Sequence, residues 1–151
     1  MGNQWTDSME AVHENRVVQF SDPVYVTYAS GGTTLALADR HLMCTVPAHS
    51  LILAVYYRRA VAFNAGTNDY LTVGTYADDD LLVNDADVSS AAATIPVVVN
   101  TTTLPYWVDA DSPIYATYLY SGTAPTAGAM EVSITWVPWT IRDEKTVSGG
   151  S

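Results

Sequence analysis

The stretch "SPIYATYLYSGTAPTAGAMEVSITWVPW", residues 112–139, contains the two clearest strand patterns of the chain and decides its fold. Both apolar segments are rich in Val, Ile, Thr and Tyr, the residue types enriched in β-strands. The intervening "TAPTA" is rich in turn formers. In the second segment Met130, Val132, Ile134 and Trp136 recur with a period of two, so they share one face of a strand. The stretch therefore predicts two β-strands separated by a turn.

The apolar pattern changes parity at the end of this stretch. After Trp136 the next apolar residues are Val137, Trp139 and Ile141. Pro138 has no N–H to donate to a neighbouring strand. This predicts either a β-bulge or an edge position near Val137.

The rest of the chain repeats the pattern of short apolar runs broken by Gly, Pro, Asn and Asp. The longest run, residues 50–64, places one set of side chains on a single face: Leu51, Leu53, Val55, Tyr57, Val61 and Phe63. Eight to ten such strands in roughly 125 residues indicate an all-β, single-domain β-sandwich that is jelly-roll-like. We expect residues 1–20 to form an N-terminal arm or short helix plus the first strand, residues 21–142 the sandwich, and residues 143–151 a flexible tail.

Charge and composition exclude several classes of protein. The chain has 16 acidic and 6 basic residues, a net charge of −10, and no Lys or Arg between residues 60 and 141. Such a field repels phosphate backbones, so we expect no nucleic-acid partner. No run of about 20 apolar residues occurs, so we expect no membrane partner. The first residues lack the pattern of a secretory signal, which predicts folding in the cytoplasm of the cell that makes the protein.

The segment "ADRHLMCTVPAHS", residues 38–50, carries the residue types of a nucleophile, a base and an orienting acid: Asp39, His41, Cys44, His49 and Ser50. No nucleophile elbow or cysteine-protease signature surrounds them. Cys44 lies in an apolar strand pattern, where a buried, inert thiol is the usual outcome. It is also the only cysteine, which excludes an intrachain disulfide. We therefore expect no catalytic residue, no enzyme and no cofactor.

The segment "NDYLTVGTYADDDLLVNDADVS", residues 68–89, contains six aspartates and no basic residue. Its spacing lacks the glycine and closing glutamate of a calcium loop. We expect no metal site, although an irregular cation site stays open as an alternative. The five clustered carboxylates are expected to face solvent on the rim of the sandwich: Asp78, Asp79, Asp80, Asp85 and Asp87.

The chain has ten tyrosines and four tryptophans, more than a small core needs. Aromatic residues are enriched at protein interfaces, and on β-sandwiches they also line sugar-binding faces. The long apolar strand faces with few charges favour an interface between subunits over a sugar platform. The predicted interface residues are Trp5, Tyr56, Tyr57, Tyr106, Trp107, Tyr118, Trp136 and Trp139.

Two segments, "VPAHSLILAVYYRRAVAFNAGTNDYLTVGTYADDDLLVNDADVS" and "DADSPIYATYLYSGTAPTAGAMEVSITWVPW", resemble small structural proteins of tailed-bacteriophage virions, and in particular head decoration (cement) proteins. The "VGTYADDD" element and Gly128 before the closing strand match the family pattern. His49 departs from it, because a glycine commonly follows "PA" at this turn.

The resemblance implies a jelly-roll-like virion protein on the outer capsid surface, made in the host cytoplasm. It also implies the major capsid protein as a partner, self-association into a homotrimer, and contact of residues 1–20 with the capsid lattice. Two alternatives stay open: another virion subunit, of the tail or a head fibre, and a carbohydrate-binding module of a phage adhesin.

Overall fold

The protein is described by a computed structural model over residues 17–34, 39–99 and 101–139. Within these ranges a short 3-10 helix, Tyr28–Ser30, follows the second of ten strands. The strands are β1 (Gln19–Phe20), β2 (Val24–Thr27), β3 (His41–Val46), β4 (Ser50–Val61), β5 (Asn68–Gly74), β6 (Val83–Asp87), β7 (Val97–Val98), β8 (Tyr106–Val108), β9 (Ser112–Ser121) and β10 (Ala129–Pro138).

The predicted arm or helix before residue 17 and the predicted tail from residue 143 lie outside the described residues, so the proposed domain boundaries stay a prediction. No helix in the described ranges is long and apolar enough to cross a membrane.

The ten strands form two antiparallel sheets that pack face to face. In sheet A, β10 pairs with β4, the short strands β1 and β2 pair with the other side of β10, and β7 and β8 pair with the other side of β4. Sheet B has the order β3-β9-β5-β6. The predicted all-β sandwich is confirmed. Successive strands often lie in different sheets, as in a jelly-roll-like order. For example, β9 lies in sheet B and β10 in sheet A.

The core lies between the two sheets and consists of inward-facing aliphatic side chains. On β10, Met130, Val132 and Ile134 are completely buried, as their period of two predicts. They pack in one cluster with residues such as Val26 of sheet A and Leu71 of sheet B. Removing a side chain of this size from water contributes about 1.5–3 kcal/mol. The sandwich is therefore stabilised chiefly by its central strands.

A β-bulge accounts for the parity change near Val137. Thr135 pairs with Ala54, but the next residue, Trp136, pairs with Ile52, so Leu53 of β4 has no counterpart on β10. Beyond this point Val137 is buried. The alternative of an edge position also holds at the end of the strand, because β1 pairs with β10 only as far as Trp136, and Val137 and Pro138 pair with β4 alone.

The same bulge changes which face of β4 is buried. The apolar set predicted to share one face began with Leu51 and Leu53, but the structure buries Ser50 and Ile52 before the bulge and Val55 after it. Leu51 and Leu53 are only partly buried. A strict period of two fails here because the extra residue rotates the strand by one position.

The acidic segment also differs from expectation. Part of it, Val83–Asp87, is strand β6 at the edge of sheet B, where it pairs with β5. Asp85 and Asp87 are therefore exposed residues of an edge strand and not of a loop. Charged side chains on an edge strand discourage pairing with other chains.

Candidate interaction surfaces

The outer face of sheet A has a largely polar centre and exposed apolar side chains at its edges. Glu131 and Ser133 point outward, because the alternating residues of β10 fill the core, and Thr135 follows on the same face but is only 3% exposed. Their partners on β4 are Arg58, Tyr56 and Ala54. Toward the edges of the sheet, Tyr25 pairs with Glu131, Phe20 pairs with Thr135, and Val98 pairs with Tyr56.

The two charged side chains in the centre of this face neutralise each other. Arg58 donates from Nε and Nη2 to the two carboxylate oxygens of Glu131, each at 2.9 Å. The hydrogen bond from Arg58 lowers the pKa of Glu131, and Glu131 raises the pKa of Arg58. The centre of the face therefore carries no net charge at neutral pH.

Exposed apolar side chains cluster at the two opposite edges of sheet A. One cluster, the β1/β2 patch, consists of Val17, Val18, Phe20 and Tyr25. The other, the β7 patch, consists of Ile95, Val97 and Val98. Residues 88–108, which include the β7 patch, contain no charged side chain. Grouped exposed apolar residues of this kind mark interaction surfaces more often than scattered ones do.

Three of the predicted interface residues lie where another molecule could reach them. Tyr56 is partly buried on the outer face of sheet A, and Trp139 is exposed just after β10. Trp107 is partly buried on β8, opposite Leu51, and its Nε1 donates to Asp109 at 2.7 Å. The structure thus leaves these three aromatic residues as candidates for an interface.

Three further predicted residues pack mainly toward the core. Tyr57, Tyr106 and Trp136 are partly buried against the hydrophobic cluster. The hydroxyl of Tyr57 accepts a hydrogen bond from Nη1 of Arg59 at 2.7 Å, and that guanidinium lies 5.1 Å from the centre of the Tyr57 ring. These three side chains are only partly exposed to solvent, so they would contribute less to an interface than Tyr56, Trp107 and Trp139.

The interface prediction is wrong for Tyr118. Its side chain is completely buried between the sheets, where it contacts Phe63 with ring centres 4.3 Å apart. A residue sealed inside its own subunit cannot contact another one. Trp5, the last predicted interface residue, lies outside the described residues.

One carboxylate of the acidic loop is not free in solvent. Oδ2 of Asp79 accepts a hydrogen bond from Arg40 at 2.8 Å, and Arg40 also donates to the backbone carbonyl of Tyr76 at 3.1 Å. The side chain of Arg40 is only 11% exposed. Asp79 therefore neutralises a largely buried cation, which corrects its assignment as a rim residue facing solvent.

The neighbouring carboxylates are crowded. Carboxylate oxygens of Asp78, Asp79 and Asp80 all lie within 4.8 Å of one another. A hydrogen bond with Asp78, burial and the negative charge of Asp78 together raise the pKa of Asp80. Asp78 and Asp80 also line a groove of about 660 Å³ with Asp85 and three threonines, Thr101, Thr102 and Thr103. Arg40 already supplies a counter-charge to this cluster.

The residues that resembled a catalytic set are not assembled as one. His41 contacts the hydroxyl of Ser30 through Nε2 at 2.9 Å, and burial lowers its pKa. Burial raises the pKa of the Cys44 thiol to about 11, so the thiol is protonated at neutral pH and is a poor nucleophile. His49 lies in the turn between β3 and β4, with its ring centre 6.1 Å from that of Trp107.

The β3–β4 turn holds His49 in a backbone conformation that favours glycine. The φ angle of His49 is 61°, in the left-handed region that glycine adopts most easily. The backbone N–H of His49 donates to Val108 at 2.7 Å, and its carbonyl accepts from Trp139 at 2.8 Å. These bonds hold the turn in place, so the turn keeps its shape although the residue is not glycine.

Comparison with known proteins places this fold among phage capsid chains. A chain of the cyanophage Pam1 capsid asymmetric unit has a TM-score of 0.57 at 19% identity, covering 82% of this chain and 86% of that one. A chain of the acid-stable capsid of the Helicobacter pylori bacteriophage KHP30 has a TM-score of 0.53 at 11% identity, covering 84% and 93%. No protein-family model and no curated protein matches the sequence. The predicted likeness to a virion β-sandwich is confirmed at the level of the fold.

The sequence did not single out the exposed residues at the edges of sheet A. Phe20, Tyr25 and Val98 each lie in a short strand and look like ordinary core residues in the sequence. The uncharged run of residues 88–108 is the signal that could have pointed to the β7 patch. Only the strand order shows that the β1/β2 patch and the β7 patch lie at opposite edges of one sheet.

Proposed function

We propose that this protein is a structural component of a bacteriophage capsid and that it acts by binding, without catalysis. The observation that carries the proposal is the sandwich shared with chains of two phage capsids over more than four fifths of each chain. The match spans nearly the whole of each neighbour, so it concerns an entire capsid chain and not one domain of a larger protein.

Within the capsid, the proposed role is that of a decoration (cement) protein on the outer surface of the head. The resemblance of residues 46–89 and 109–139 to such proteins supports this role. A protein that binds the assembled shell and not its dissociated subunits stabilises the shell by mass action. The proposed partners are the major capsid protein and further copies of this chain in a homotrimer, and the proposed location is the virion surface.

The distribution of charge and apolar surface is consistent with this role. The net charge of −10 favours solubility at the high concentrations reached during virion assembly. The acidic side chains concentrate in loops and on edge strand β6, whereas the outer face of sheet A has a neutral centre and apolar edges. The outer face of sheet A is therefore the proposed binding surface, and the acidic loops are expected to stay exposed to solvent.

The direct test uses phage heads assembled without this chain. Purified protein is added to the heads, which are sedimented and then heated while DNA release is followed. The proposal predicts saturable co-sedimentation and a higher temperature of DNA release. Matched heads that already carry the protein serve as the control and should bind no more. Heads that neither bind the protein nor gain thermal stability would contradict the decoration role.

A further inference from the structure

We infer that copies of this chain associate head to tail, with the β1/β2 patch of one copy against the β7 patch of the next. The inference deepens the self-association proposed above and rests on it. Its basis is the position, exposure and charge of the two patches at opposite edges of sheet A.

A closed ring of identical subunits needs two different patches on each subunit, because every contact joins one patch to the other. The structure supplies two apolar patches separated by the width of sheet A, since β1 and β2 flank β10 on one side and β7 flanks β4 on the other. Phe20 is 69% exposed and Val98 is 58% exposed, so both patches are available to a partner.

Asp22 lies between β1 and β2, next to the β1/β2 patch. Arg59 lies on β4 beside the β7 patch and donates to the carbonyl of Ala91 at 3.0 Å, whereas the charge of the neighbouring Arg58 is already neutralised by Glu131. A head-to-tail contact brings Asp22 of one copy to the side of the next copy that carries Arg59. A contact between two identical patches would place like charges together.

An identical chain brings the same net charge of −10, so it can approach closely only where acidic side chains are few. The β7 patch lies within the uncharged run of residues 88–108, and the ion pair of Arg58 and Glu131 leaves the centre of the same sheet face neutral. Sheet A is thus the side of the molecule on which a second copy meets the least repulsion.

The test compares single variants with their mixture. Phe20→Asp disrupts the β1/β2 patch, and Val98→Asp disrupts the β7 patch. Leu42→Asp is the matched control, because Leu42 is 54% exposed on β3 of sheet B and belongs to neither patch. The mass of each protein is measured by light scattering after gel filtration, and circular dichroism confirms that each variant is folded.

The inference predicts that the wild type and Leu42→Asp are oligomers of equal mass and that each patch variant alone is a monomer. In a mixture of the two patch variants, the intact β7 patch of Phe20→Asp can bind the intact β1/β2 patch of Val98→Asp. The mixture should therefore give a one-to-one complex. A monomeric wild type, patch variants that stay oligomeric, or a mixture that stays monomeric would each overturn the inference. A wild type that binds heads as a monomer would refute this contact and leave the decoration role intact. An oligomer of the predicted kind that binds no head would support the contact and refute that role.

Discussion

The buried hydroxyl of Tyr118, on β9, donates a hydrogen bond to Oδ1 of Asp69, on the neighbouring strand β5. Asp69 is only 2% exposed, and the same oxygen also accepts from the backbone N–H of Ala65 at 3.3 Å. Burial, followed by the bond to Asp69, raises the pKa of Tyr118, so the phenol stays protonated and available as a donor. The pair joins two strands of sheet B through the interior of the sandwich.

Tyr118→Phe removes the hydroxyl and leaves the carboxylate of Asp69 with one donor fewer in a buried site. An incompletely satisfied buried polar group costs about 1–3 kcal/mol, so we expect the free energy of unfolding to fall by that amount. Urea denaturation measures the change. Tyr115→Phe is the control, because Tyr115 is partly exposed on the same strand and should change stability little. Equal losses in the two variants would show that the bond to Asp69 contributes nothing specific.

The acidic loop gives a contrast between adjacent aspartates. Asp79→Asn removes the negative charge that neutralises the largely buried Arg40, so we expect a loss of about 1–3 kcal/mol in the free energy of unfolding. Asp78→Asn should change stability little or raise it, because it removes the like charge that raises the pKa of Asp80. Thermal and urea melts of both variants measure the difference. Equal effects of the two substitutions would contradict the structural role of Asp79.

The turn between β3 and β4 predicts a stabilising substitution. His49→Gly removes the left-handed strain at φ 61°, which costs a non-glycine residue about 1–2 kcal/mol, although glycine recovers part of this as greater freedom in the unfolded chain. We expect a net gain of about 0.5–1 kcal/mol. His49→Ala removes the ring and its contact with Trp107 but keeps the strain, so it should give no gain. If alanine stabilised the protein as much as glycine, the backbone explanation would be wrong.

The single thiol predicts a specific loss of stability at alkaline pH. The pKa of Cys44 rises from its ordinary 9.0 to about 11 in the folded chain because of burial. A group with a raised folded pKa contributes stability below its unfolded pKa, and this contribution is lost as the pH rises from about 9 to 11. Cys44→Ala should therefore show a smaller decrease in unfolding free energy than the wild type over that interval. Parallel pH curves would contradict the prediction, since the tyrosines titrate in both proteins.

The sequence predicted the parts of the fold that depend on local pattern. The alternation on β10 predicted its buried face, and Pro138 with the parity change predicted a bulge beside Val137. The position of the unpaired residue, Leu53 on the opposite strand, could not be predicted, because it depends on the register between two strands far apart in sequence. Because of the same bulge, Leu51 and Leu53 do not share the buried face of Val55, although the period of two predicted that they would.

The functional surfaces were harder to predict, because they depend on contacts distant in sequence. Asp79 and Arg40 are 39 positions apart, and nothing local distinguishes Asp79 from its two neighbours. Tyr118 and Tyr56 lie in similar sequence patterns, yet Tyr118 is completely buried in the core and Tyr56 lies on an outer face. Burial of an aromatic residue is decided by which sheet covers it, and periodicity alone does not supply that information.

The most direct test of the central claim is cryo-electron microscopy of the phage that encodes this chain, with the sandwich fitted into the density. The account predicts density for the two sheets on the outer surface of the head, and the loss of that density when the gene is deleted. Its absence from heads, with density in the tail or a head fibre, would contradict the decoration role and favour another virion subunit. Absence from the whole particle would contradict the proposal that this is a capsid protein.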